Sequence, residues 1–240
     1  MGYTLRMNIA ETVKTVIAPP HKAGYPFILG GIAVAVVGLF LWIPLTWIGL
    51  IFTLFCLYFF RDPERVPPPR PHVFLAPADG LVVHVDSAIP PAELGLGLTA
   101  RPRVAIFLSV LDVHVNRAPI AGTVSRIAYH AGKFLSAADD KASDDNERNG
   151  IVLQLAGGQT AAVVQIAGLI ARRIVCSVAE GQILFAGERF GIIRFGSRTD
   201  LYLPEGTLPL VVPGQRMIGG ETVIAQLEPV FAADPVFDTL

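Results

Sequence analysis

The chain has 240 residues, a formal net charge of -1, and a hydrophobic fraction of 52% against 16% charged. That length holds one large domain or a domain with an appendage, and the near-neutral charge gives no global field to draw in nucleic acid. Cys56 and Cys176 form no spacing pattern, so no disulfide framework and no zinc or other metal site is expected.

Residues 1–26 carry Arg6, Lys14 and Lys22 on a mildly amphipathic background and read as a short helix before the Pro19-Pro20 break. It either lies on a membrane surface or packs on protein. Phe27 to Phe60 then runs without one charge, the mark of a membrane segment. As a single helix it would reach about 51 Å, well past the ~30 Å hydrocarbon core. Pro44 at its midpoint breaks it, so residues 27–60 are predicted to form a helical hairpin with Trp42 and Trp47 at its tip. Lys14 and Lys22 before the hairpin, with Arg61, Arg65 and Arg70 after it, place both ends on the cytoplasmic face of the cell membrane.

The expected organisation is a membrane-associating region over 1–62, a stiff Pro-rich linker over 63–75, and a β-rich catalytic domain over 76–240. Short runs with period-two alternation or β-branched enrichment mark strands at Leu81–Val85, Val104–Ser109, Gly122–Tyr129, Ile151–Leu155, Thr160–Ile166, Ile174–Val178, Gly191–Phe195, Thr199–Leu203 and Val223–Leu227. The fold class is mainly β, an antiparallel sandwich or barrel hybrid behind an N-terminal hydrophobic helical hairpin. The acidic stretch Ala137–Asn149 reads as a solvated loop over the active site; its residues do not match a calcium loop.

Three clusters can carry chemistry. Pro77-Ala78-Asp79-Gly80 puts a carboxylate in a tight turn. Asp112-Val113-His114-Val115-Asn116-Arg117 puts polar side chains at alternate positions after an apolar strand. Phe195-Gly196-Ser197-Arg198 lies between two β-like runs and is either a turn or a self-processing site. In the second case the unflanked Gly196 carbonyl is open to attack by the Ser197 hydroxyl. Asp, His and Ser together are the parts of an activated hydroxyl nucleophile, although no G-x-S-x-G elbow surrounds Ser197. His21, His72 and His130 have no comparable company, and alternation puts His84 at an exposed position.

These motifs, with Arg61-Asp62-Pro63-Glu64-Arg65 after the hydrophobic hairpin, resemble in order and spacing the short-form, type II-like phosphatidylserine decarboxylase proenzymes. The resemblance implies a chain cut between Gly196 and Ser197, giving a β chain of 1–196 and an α chain of 197–240 that stay together, with higher oligomers left open. It also implies a covalent pyruvoyl group made from Ser197, with no pyridoxal phosphate and no metal. That ketone would capture the amine of phosphatidylserine in the membrane and accept the electrons left as CO₂ departs. Longer bacterial relatives carry a second His where this chain has Arg117, so His114, oriented by Asp79, is expected to act as the base. Arg172, Arg173 and Arg198 are candidates to hold the lipid phosphodiester.

Two other readings stay open. Gly181–Leu184 and Pro213–Ala225 are similar to the turn-and-strand repeats of biotinyl or lipoyl carriers, which would make a membrane-tethered binding module; no Met-Lys-Met carrier lysine is present. A membrane serine hydrolase using Asp79, His114 and Ser197 is the other.

Overall fold

The computed structural model describes residues 18–132, 146–168, 173–194 and 197–227. Most of the first expected helix, Gly196 at the expected cleavage site, and Arg172 lie outside these residues. The uncharged run folds as two helices, α1 (Tyr25–Leu41) and α2 (Ile43–Phe59), joined by the single extended residue Trp42. Pro44 is the second residue of α2, where its missing N–H costs no helical bond, so it starts a helix instead of kinking one. Each helix has 17 residues and reaches about 26 Å.

The helices meet on small residues. A Cβ added to Gly38 would lie 2.3 Å from the Thr46 nitrogen, and one on Gly49 would lie 2.4 Å from the Ala35 nitrogen, so the backbones approach to contact. Leu29, Phe40, Leu41, Trp42, Trp47, Ile51 and Leu54 are left exposed on the outside. Such a contiguous apolar surface suits association with a membrane, and Lys22–Leu41 is long and apolar enough to cross one.

The remaining chain is β. Its strands are β1 (Val73–Leu75), β2 (Gly80–Ala88), β3 (Arg101–Leu108), β4 (Val115–Arg117), β5 (Gly122–His130), β6 (Arg148–Gln154) and β7 (Thr160–Ala167). After them come β8 (Ile174–Cys176), β9 (Ile183–Leu184), β10 (Arg189–Ile193), β11 (Ser197–Tyr202), β12 (Arg216–Met217) and β13 (Val223–Gln226). Eight form a curled half-barrel in the order β12-β2-β3-β11-β7-β6-β5-β9, beside a β4-β10-β8 sheet and a β1-β13 pair. All the pairings are antiparallel. The nine predicted strands all lie on observed ones. The four that were missed (β1, β4, β9 and β12) have two or three residues each, too few to show a period.

One stretch departs from expectation. The solvated loop ends before Asn146: Asn146, Glu147 and Asn149 are buried, and Arg148-Asn149 open β6, pairing with Ile166 and Gln165. Its polar composition hid a buried strand start. Residues 137–145 lie outside the described residues.

The hairpin is joined to the β domain at its base. Phe59 and Phe60 are fully buried with Ile28 and Cys56 against Val113, Val115 and Ile192. Burial of each Phe contributes about 1.5–3 kcal/mol. Beyond the hairpin, Asp62 pairs with Arg117 (3.2 Å) and Arg189 (2.7 Å), and Arg65 pairs with Asp79 (2.7 Å). The charges of this stretch strap it to the β domain.

Candidate active site

Ser197 is the first residue of β11, the central strand, paired with Leu108 of β3 on one side and Ala167 of β7 on the other. The turn reading therefore fails for this residue, which is already in the ladder. Every residue of β11 is buried, and alternation divides them between two faces. Ser197, Thr199 and Leu201 share the inner face. Arg198, Asp200 and Tyr202 share the outer one.

Along the inner face the composition changes. The rows through Ile151, Val163 and Leu201 are apolar and belong to the main core. The next row, Asn149–Gln165–Thr199, is polar, and Ser197 lies one two-residue step beyond Thr199, about 6.8 Å along the strand. Asn149 donates to the Gln165 side-chain oxygen (2.9 Å), and Gln165 donates to the Asn116 oxygen (2.6 Å). This chain of amides turns the Asn116 NH₂ away from Gln165, and there it has no partner among the described residues. The hydroxyls of Ser197 and Thr199 are also buried without a hydrogen-bond partner among the described residues. A buried unpaired polar atom costs about 1–3 kcal/mol, so three at one end of a core mark a site shaped for something other than stability. The motifs had displayed Asn116 without a role. Gln165 and Thr199 sit in apolar strand patterns, and only the cross-strand register brings them here.

His114 precedes β4, two residues before Asn116, and is fully buried. Its ring packs on Phe59 at the foot of α2, with centroids 4.3 Å apart. Its Nδ1 lies 2.9 Å from the Asp112 carbonyl, which can only accept, so Nδ1 carries the hydrogen and Nε2 is the lone-pair nitrogen. Burial pushes the imidazole down to about 4, so it is neutral at pH 7 and chemically a base.

Asp79 does not orient His114, contrary to expectation. Its carboxylate takes Arg65 at 2.7 Å and the Gly219 N–H at 2.8 Å, and burial lifts it above the usual carboxylate range. The orienting group is the Asp112 carbonyl, presented by a turn in which the Asp112 carboxylate accepts the Ser109 N–H (2.8 Å). Arg117 donates to Gly187 O, Pro63 O and Asp62, and so acts as a strap.

Arg198 is corrected as well. It lies on the outer face, opposite to Ser197, with no exposed surface, and grips Asp200 through two bonds of 2.6 and 2.8 Å. A lipid phosphate cannot reach it. Arg173 is exposed at the end of β8. His84 is half-buried with Nε2 unpartnered, not exposed, because β2 is bulged between Val82 and His84.

A buried hydroxyl and a neutral imidazole at the polar end of a β core, beside the foot of an apolar hairpin, define an enzyme that works next to a membrane. Comparison with known proteins agrees. The family model for phosphatidylserine decarboxylase matches residues 52–225, from the second half of α2 to β13. A phosphatidylserine decarboxylase proenzyme from Granulibacter bethesdensis is 64% identical over 228 residues, covering 95% of this chain and 93% of the relative. Proteins of the same description from Gluconacetobacter diazotrophicus (59% identical; 92% of this chain, 100% of the relative) and Cereibacter sphaeroides (54%; 90% and 94%) also match. This chain belongs to the phosphatidylserine decarboxylase family. It is therefore read as a decarboxylase, not a carrier-like binding module or a serine hydrolase.

Proposed function

We propose that the chain is made as a proenzyme, cuts itself between Gly196 and Ser197, and decarboxylates phosphatidylserine to phosphatidylethanolamine and CO₂ at the cytoplasmic surface of the membrane. The observation that carries this reading is the unpartnered Ser197 hydroxyl, fully buried at the head of the central strand. In the self-cleavage, His114 Nε2 takes the hydroxyl proton and Ser197 Oγ adds to the Gly196 carbonyl carbon, replacing the peptide bond with an ester. Loss of the Ser197 α-proton then expels the Gly196 carboxylate and leaves a dehydroalanine. Water converts that residue to pyruvoyl, releasing ammonia.

The unpaired polar atoms around Ser197 fit such a group, since each can bond to an oxygen of it. Once in place, the pyruvoyl ketone supplies amine capture and an electron sink. The chain's own contribution is to exclude water with Phe59 and the inner core, and to hold or deliver a proton at His114 Nε2.

Cutting need not separate the two pieces. All three strands of 197–227 pair with strands from before the cut: β11 with β3 and β7, β12 with β2, and β13 with β1. This supports a β/α heterodimer. The positive charges flanking the hairpin support a domain on the cytoplasmic side, and the strap at Asp62 and Arg65 would keep the site near the headgroups of a lipid that never leaves the bilayer. Intact-mass analysis of purified full-length protein tests the reading: two chains are expected, with residue 197 blocked as pyruvoyl. A single unbroken chain with an ordinary serine would overturn it.

A further inference from the structure

The arginines near the hairpin base are nearly all committed. Arg65 pairs with Asp79, Arg117 and Arg189 pair with Asp62, and Arg216 pairs with Asp112. Arg61 donates to the carbonyls of Tyr58 and Leu111 and stacks on the Tyr58 ring. Arg194 and Arg173 differ. The β10–β8 pairing runs Gly191↔Cys176, Ile192↔Val175 and Ile193↔Ile174, and the Arg194 N–H continues it to Arg173 O at 3.3 Å. The two arginines thus stand directly opposite across an antiparallel pair, where like charges repel.

Among the described residues neither forms an ion pair. Arg194 is half-buried with its Nε unpartnered, and burial together with Arg173 disfavours its charge. Glu147, the acid beside this strand end, accepts the Ile174 N–H at 3.4 Å and interacts with Tyr129. An opposed, partly desolvated and unneutralised arginine pair costs stability unless an anion joins it.

Its placement says which anion. The Arg194 guanidinium lies 5.3 Å over the ring of Phe27, in the first turn of α1 and next to exposed Lys22, so it sits where the hairpin leaves the domain. In the other direction Ile193 N–H bonds to His114 O, and Ser197 follows three residues on, within about 10 Å along the chain. A serine phospholipid carries its phosphodiester a few bonds from the amine that must reach residue 197. We propose that Arg194, backed by Arg173, binds the lipid phosphodiester and so selects a phosphate-linked serine. This rests on the decarboxylase reading above.

The test uses full-length protein with phosphatidylserine vesicles. R194Q should cleave its chain normally on a gel yet lose about 10–100-fold in kcat/KM, chiefly through KM. R194K should recover part of that, and R173Q should lose several-fold. Wild-type activity should be inhibited far better by glycerophosphoserine than by O-methylserine, and in R194Q that gap should narrow about tenfold or more. Unchanged kinetics in R194Q, or a loss in kcat with the inhibitor gap intact, overturns the proposal. Inhibition by inorganic phosphate as strong as by glycerophosphoserine overturns it too, leaving a general anion site. If R194Q does not cleave, R173Q decides: a narrowed gap supports the site and an unchanged gap removes it. An uncut, inactive wild type would defeat the decarboxylase reading itself, a different result from any of these.

Discussion

The two faces of β11 are built from alternate residues of one six-residue strand, equally buried and opposite in character. Outside, Arg198 and Asp200 are tied in a bidentate pair, and Asp200 reaches Arg103 (3.4 Å), which holds Asp86 (2.6 Å). Inside, Ser197 and Thr199 keep hydroxyls with no partner among the described residues. A buried charge must be paired to be tolerated, whereas a buried hydroxyl can be left unpaired at modest cost. The outer face therefore serves the fold, and the inner face is the one that carries the proposed reaction.

Removing the inner nucleophile should have the largest effect. S197A should abolish the break completely, so that intact mass shows one 25.7 kDa chain. H114Q keeps the shape and loses the lone-pair base; cleavage followed by gel over time should slow by about 10²–10⁴-fold. If H114Q cleaves at the normal rate, the imidazole has no part in the step.

Breaking the outer face should act on stability instead. R198M leaves Asp200 buried with Arg103 as its one remaining cation among the described residues, and should cost about 3–5 kcal/mol in denaturant unfolding, while the protein that folds still cleaves. Loss of cleavage in well-folded R198M would erase the distinction between the faces.

A smaller effect follows from pH. The His114 pKa falls from 6.5 unfolded to about 4 folded, so between those values the unfolded chain binds more protons. Its contribution is complete above pH 6.5 and is lost as pH falls toward 4, amounting to about 3 kcal/mol. Urea unfolding across that range should show the slope in wild type and a flatter one in H114Q. Smallest of all is T199V, which removes an unpaired hydroxyl with little change of shape. It should raise stability by about 1 kcal/mol, the low end of the cost of a buried unpaired hydroxyl, yet slow cleavage if that hydroxyl serves the site.

Local patterns predict features held by local physics. Thirty-four uncharged residues with a proline at the centre can do little but form an apolar hairpin, and the nine predicted strands were visible because side chains alternate with period two or are β-branched. His114 and Ser197 were legible because their motifs are short and contiguous. The expectation that Asp79 orients His114 failed because the partner of a buried carboxylate depends on what folds against it, here Arg65 and Gly219. The polar run at Asn146–Asn149 looked like loop because burial of an amide needs a partner such as Gln165, sixteen residues further on.

From the sequence alone came an apolar hairpin, a β domain, and a serine and a histidine suited to one another chemically. Only the tertiary structure decided that Arg198 turns its back on Ser197, that a backbone carbonyl sets the His114 tautomer, and that Arg173 and Arg194 face each other with no acidic partner among the described residues. The physical reason is that a strand's residues choose their face by counting, but what waits on each face is delivered by strands distant in the chain.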